Sequence, residues 1–124
     1  MELTKNELQI MTVLWHVGKP LTGAEIRQQS AEKTWKDGSI HIILNKLLEK
    51  GALAEHGFIK DGKTIARTFV PAISRKDYYE THFAGYAPED IPDVFSALLH
   101  TAEDDAELAG KLKDIIRAWE HKET

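Results

Sequence analysis

The chain has no cysteine. That excludes disulfides, thiolate metal sites and a cysteine nucleophile. It also lacks any apolar run near the roughly 18–20 residues that cross a bilayer, so no membrane insertion is expected. The opening MELTKNELQIM alternates charged and apolar residues and has no apolar core of a secretory signal. A cytoplasmic protein is therefore expected. No internal repeat or low-complexity tract is present. Positive charge is also in short supply: the net charge is −4, which argues mildly against a nucleic-acid partner.

The distribution of charge changes that picture. Residues 1–71 hold ten Lys/Arg against eight Asp/Glu, a net +2, whereas residues 72–124 hold six against twelve, a net −6. Such asymmetry suggests two regions with different tasks. With 124 residues and 42% apolar content, the chain is one compact unit or a small domain with an appendage.

Local signals order the first region. Thr4 and Glu7 have the spacing of a capping box, followed by an apolar stripe of Leu8, Met11, Leu14 and Trp15, widened by Ile10 and Val17. Gly18 stops this helix and Lys19-Pro20 blocks its continuation. Leu21 suits a strand of one or two residues. Thr22 and Glu25 repeat the capping spacing and open a short helix to about Ala31. In WKDGSIHIILNKLLEKGAL, from Trp35 to Leu53, Ile40, Ile43, Leu44 and Leu47 form one stripe and Gly51 closes the helix. ALAEHGFI and TIARTFV then flank Lys60-Asp61-Gly62-Lys63, with Asp-Gly at the centre as a hairpin signal, and Pro71 ends the second strand. Helix, short helix, helix, hairpin is the order of a winged helix-turn-helix.

After Ser74, which suits an N-cap, a helix runs through Tyr78, Tyr79 and Phe83. Pro88 and Pro92 mark the next start. Ile91, Val94, Phe95, Leu98, Leu99 and Ala102 make a wide apolar face, and a helix from about Glu103 stacks Leu108, Leu112, Ile115 and Trp119, with Ala109 and Ile116 beside them. These helices hold too little material for an independent core. The expected fold is mostly α with a small β-hairpin: a winged-helix DNA-binding domain over residues 1–72 and a helical dimerisation region over 73–124. The expected dimer interface is Val94, Phe95, Leu98, Leu99, Leu108, Leu112, Ile115, Ile116 and Trp119. A monomer with a folded-back helical flap is the alternative. A two-fold dimer is favoured, as the commonest oligomer.

The polar side of the third helix carries the chemistry. Projected at about 100° per residue, Gly38, Ser39, Ile42, Asn45, Lys46 and Glu49 lie opposite the stripe, with His41 on the rim. An isoleucine on a merely solvated face is odd, although single exposed ones are common. In a DNA major groove it can meet thymine methyls, while Asn45 pairs with adenine and Lys46 or His41 reaches guanine or phosphate. Gly38 lets the helix N-terminus approach the backbone. Lys36, Lys60 and Lys63 suit phosphate contacts. Glu49, near the C-terminal end, tilts away from the bases.

The segments LTKNELQIMTVLW, LTGAEI, the lone Trp35, SIHIILNKLLEKGAL and FVPAISRKDY occur in the order and spacing of the penicillinase-repressor family, and the resemblance spans about residues 3–80. It implies a winged helix with a C-terminal dimerisation region, binding an inverted-repeat operator (TACA/TGTA-like half-sites in better-known members) and blocking transcription. Carried onto this chain, the reading positions are Ser39, His41, Ile42, Asn45 and Lys46. Family members commonly have threonine at Ser39 and Ile42, a basic residue or glutamine at His41, and arginine at Lys46. Lysine gives up bidentate recognition and keeps a point charge, so the half-site read here is expected to differ. The copper-responsive members sense metal through C-terminal cysteines, which this chain lacks. The β-lactam-responsive members are cut by a membrane-bound zinc protease, a partner that the resemblance brings in here as well. The comparable place is near Leu98-Leu99, but the asparagine–phenylalanine pair cut in those repressors is absent.

Other classes fit less well. Asp37, Ser39 and His41 are close in sequence, but Ser39 and His41 face different ways on a helix and no Gly-x-Ser-x-Gly context is present. The chain is not expected to be an enzyme, and no cofactor or metal is expected. A metal-responsive sensor is the alternative suggested by His100, Glu103 and Asp104, spaced to place two ligands on one helix face. A winged-helix module that binds protein is the other.

Overall fold

In the computed structural model, which describes residues 1–123 except the side chains of Asp61 and Glu123, Thr4 closes a reciprocal capping box. Its Oγ1 accepts the Glu7 N–H at 3.2 Å, and Glu7 Oε1 accepts the Thr4 N–H at 2.8 Å. Two backbone donors that a helix start leaves orphaned are thereby satisfied. Helix α1 runs Lys5–Val17 and ends at Gly18, whose φ of 74° suits glycine. The core-facing side of α1 is rotated from the expected stripe. Ile10, Met11 and Leu14 are fully buried together with Glu7, while Leu8 and Trp15 are only half-buried.

Strand β1 is Leu21–Thr22, and the second capping box, Thr22 with Glu25, opens α2, Gly23–Gln29. The stretch starting at Trp35 is not helical from its beginning. A single 3₁₀ turn over Asp37–Ser39 precedes α3, Ile40–Lys50. Helix α3 ends in a Schellman motif: the Gly51 N–H donates to the Leu48 carbonyl and the Ala52 N–H to that of Leu47, each at 3.1 Å. This reverses the chain directly into β2, Leu53–Asp61, and then β3, Thr64–Pro71.

The sheet has three antiparallel strands in the order β1-β3-β2. Asp61 pairs with Thr64, so the loop is Gly62-Lys63, one residue later than the expected Asp-Gly centre. Gly62 has φ 64° and no described non-glycine residue has positive φ. A glycine first and an ordinary residue second is the pattern of a type II′ turn. A bulge between Glu55 and Phe58 interrupts the β2–β3 ladder. Leu53 and Phe69 face inward and join Ile10, Leu14, Leu21, Ile26, Leu44 and Leu47 in one core.

Two compact units result, Met1–Ala84 and Gly85–Thr124. Helix α4, Arg75–Phe83, belongs to the first. Its Tyr78 is buried in that core, 6.0 Å between ring centroids from Trp15, whose Nε1 donates to the Ile73 carbonyl at 2.9 Å. The second unit has a 3₁₀ turn, Pro88–Asp90, then α5, Ile91–Thr101, and α6, Ala106–Glu123. Helix α6 starts three residues after the expected Glu103. Residues 102–104 form a turn, and Asp105 Oδ1 caps the helix by accepting the Leu108 N–H at 3.0 Å. No described helix is long and apolar enough to cross a membrane.

Candidate nucleic-acid interface

Helix α3 is held along one side by Ile40, Leu44 and Leu47, each no more than 1% exposed. Its two ends are tied separately. Before it, Trp35 is buried in the core, the Thr34 N–H donates to Gln9 Oε1 at 3.1 Å, and Thr34 Oγ1 donates to Asn6 Oδ1 at 2.5 Å. Lys33 lies over the Trp35 ring and pairs with Asp37 at 2.9 Å. That hydrogen bond and charge hold the exposed Asp37 carboxyl below its ordinary value of 3.8.

At the other end, Lys50 Nζ donates to Glu7 Oε1 at 2.5 Å and to the Glu2 carbonyl at 2.8 Å. Burial by itself pushes the Glu7 carboxyl upward. The Lys50 hydrogen bond, the Thr4 N–H and the Lys50 charge outweigh it and bring Glu7 below its ordinary 4.5. Sequence reasoning assigned Glu7 to the cap and gave Lys50 no role. The available signal was that Glu7 shares the face of Ile10 and Leu14, and a carboxylate on a core-facing stripe requires a buried partner.

The outward face of α3 is open. His41, Ile42, Asn45, Lys46 and Glu49 are all exposed, Ile42 to 63%. Ile42, Asn45, Lys46 and Glu49 are spaced i, i+3, i+4 and i+7, so they form one ridge. Ser39 is different: it closes the 3₁₀ turn, is half-buried and makes no side-chain cap. Lys36 is exposed just before that turn. His41 leans toward α2. A Cβ at Gly23 would meet its Cε1 at 3.8 Å and Leu44 Cδ1 at 3.7 Å, so the α2 start packs closely on α3. Lys60 and Lys63 are exposed at the distal end of the hairpin, away from the segment where α3 enters β2.

The alternative chemistry does not assemble. Glu103 and Asp104 fall in the turn after α5, so they do not share a helix face with His100, and the expectation of a helical ligand pair is corrected. His100 Nδ1 is 3.8 Å from Glu103 Oε2, and among the described residues no three His, Asp or Glu side chains converge as a metal site. Asp37 is engaged with Lys33.

The chain is 33% identical over 79 residues to a penicillinase repressor of Bacillus licheniformis; the aligned segment is 64% of this chain and 58% of that protein's length. Among solved structures it is similar to the monomeric form of Bacillus licheniformis BlaI in complex with the blaP half-operator, at 29% identity and a TM-score of 0.45, covering 63% of this chain and 89% of that one. It is also similar to a MarR family transcriptional regulator from Silicibacter pomeroyi, at 16% identity and a TM-score of 0.41, covering 83% of this chain and 72% of that one. The family model described as penicillinase repressor matches residues 3–118, nearly the whole chain, and the protein belongs to the penicillinase repressor family.

Proposed function

We propose that this protein is a DNA-binding transcriptional repressor that acts as a homodimer on an inverted-repeat operator. Residues 1–72 hold the DNA, α4 packs on their core, and α5 and α6 join two copies. The observation that carries this is the α3 ridge: Ile42, Asn45 and Lys46 stand exposed on a helix whose opposite side and both ends are fixed. A rigid helix offering an apolar, an amide and a cationic group in one row suits a major groove. Lys36, Lys60 and Lys63 supply backbone contacts, Ser39 and His41 the edge of the reading surface.

Dimerisation rests on the second unit, where Ala102 is the single buried residue among those described. Phe95, Leu98, Leu99, Leu108, Ile115 and Trp119 are exposed, and Val94, Leu112 and Ile116 are half-buried. Covering those side chains with a second copy joins two weak half-site contacts into one bivalent contact, raising affinity about 10²–10⁴-fold. Cutting α5 at the exposed Leu98-Leu99 by a membrane-bound sensor protease would remove that gain, which makes such a protease the regulatory partner of this scheme. The cytoplasm is the compartment where repressor and operator meet.

The test is a binding titration of the full chain on a palindromic duplex selected from a random pool, against a scrambled duplex, at several salt concentrations. A preference for the palindrome, with log affinity falling by about 0.9 per phosphate neutralised for each tenfold rise in salt, is expected. Equal binding of both duplexes at low salt overturns the proposal. The protein-binding alternative expects no duplex binding at all.

A further inference from the structure

The hairpin extends farther than its share of the core requires. Residues directly opposite in an antiparallel pair share a face, and alternate residues along a strand return to it. Phe69 faces the core, so Arg67 and Ile65 continue the same side outward. The register pairs Phe58 with Arg67 and Lys60 with Ile65. The bulge makes this possible. It adds one residue to β2 between Glu55 and Phe58, where Gly57 has φ 105°, so that Phe58 and not Gly57 takes the core-facing side. Past the edge of the core, that side consists of Phe58, Lys60, Ile65 and Arg67.

Ile65 is 72% exposed and Phe58 66%, the two highest fractions of any large apolar side chain described. They stand between cations. Lys60 shares their face, Lys63 is in the turn, and Arg67 is paired with Glu55 at 2.7 Å, which neutralises that carboxylate. A second copy of the hairpin is a poor cover for this surface, because a two-fold contact sets like charges against each other. A polyanion with a narrow apolar-walled groove is a good one. The exposed side is also the side of the sheet on which Leu44 and Leu47 of α3 pack.

We propose that Phe58 and Ile65 enter the minor groove adjoining each half-site and select A·T pairs there, with Lys60 and Lys63 on the flanking phosphates. This rests on the DNA-binding function proposed above and adds a second reading element to it. The minor groove is roughly 6 Å wide and admits side chains from a hairpin, not the ribbon itself. Its A·T floor presents only acceptors, whereas G·C adds the guanine amino donor. An apolar side chain pressed on that donor strips its water and returns no hydrogen bond. Apolar side chains inserted from the minor groove are an established means of binding and deforming DNA.

The experiment is selection from a random duplex pool by three full-length proteins: wild type, the double variant Phe58→Ser/Ile65→Ser, and Lys46→Ala. The two wing positions are exposed, so the double variant retains the core. Wild type is expected to enrich paired half-sites, each adjoined by an A·T-rich segment. The double variant should enrich the same half-sites with no bias in the adjoining segment, and bind the wild-type consensus about tenfold more weakly. On a consensus whose adjoining segments are G·C the two proteins should agree within about twofold. Lys46→Ala should weaken half-site enrichment and keep the A·T bias. Identical adjoining segments from wild type and the double variant overturn the wing assignment while half-site enrichment keeps the repressor function standing. Loss of the dimer by the double variant in light scattering overturns it too, by showing that a second copy covers the wing. A wild-type pool with no half-sites removes both.

Discussion

Lys50→Met removes the ion pair that ties the end of α3 to the start of α1, together with the Lys50 hydrogen bond to the Glu2 carbonyl. The alkyl stem is kept and the ammonium is lost, so Glu7, 3% exposed, keeps the Thr4 N–H and loses its counter-charge. Breaking a fully buried pair costs about 3–5 kcal/mol. The Lys50 side chain is 32% exposed and water replaces part of its contribution, so about 2–3 kcal/mol is expected. At roughly 4 °C per kcal/mol for a chain of this size, the melting temperature should fall by about 10 °C near pH 7. The effect depends on pH in a defined direction. Glu7 has a folded pKa below 4.5, so the stabilisation is fully present above 4.5 and is lost as pH falls through the folded value. In the variant burial dominates and Glu7 takes up a proton at higher pH, which relieves part of the damage. Both effects narrow the gap between the two proteins in acid. Paired thermal melts followed by circular dichroism at pH 7 and about pH 3.5 measure it. A loss of under about 2 °C at neutral pH, or a gap that acid leaves unchanged, refutes the assignment of this pair as a buried, charge-dependent clamp.

Lys46→Ala should weaken operator binding, keep the dimer intact and lower the salt slope by about 0.9, read from anisotropy titrations. Leu112→Asp or Trp119→Ala should give monomers in light scattering that bind a single half-site weakly; variants that remain dimeric place the interface elsewhere. Gly51→Ala places a side chain at φ 78° and should cost about 1 kcal/mol of stability by denaturant titration. Thr22→Ala removes the acceptor for the Glu25 N–H and should cost about 1 kcal/mol in the same assay.

The first unit was legible because its signals are local. Thr4 with Glu7, Thr22 with Glu25, Gly18 and Gly51 each state a boundary within a few residues, and the Ile40, Leu44 and Leu47 stripe names its own buried side. Errors arose where several local solutions were available. The helix expected from about Glu103 begins at Ala106, because residues 102–104 close a turn first and Asp105 then caps the helix. Asp61-Gly62 and Gly62-Lys63 both make acceptable two-residue loops; cross-strand register chose the second. Contacts distant in sequence left no local trace. Lys50 and Glu7 are 43 residues apart, and nothing near Lys50 marks it as different from the other exposed lysines.

The same contrast explains why the outward surfaces were only half readable. Periodicity reports that a face is apolar, and it is silent about what covers the face. In the first unit the cover lies within the chain, so the stripes of α1 and α3 meet and both become buried. In the second unit α5 and α6 show the same kind of periodicity, yet Phe95, Leu98, Ile115 and Trp119 stay exposed. The wing is the intermediate case: one alternating face is buried at Phe69 and open at Ile65, four residues along the same strand. A stripe that continues past the edge of its own core is informative because burial cannot account for its outer half. Helix α3 presents the reverse arrangement, a buried stripe with a lone apolar residue, Ile42, on its far side. Core packing explains neither Ile42 on α3 nor Phe58 on β2, the two elements that Gly51 joins in one continuous chain reversal. An apolar side chain held in water on each of two consecutive elements is more economically explained by one ligand bridging them than by two unrelated surfaces.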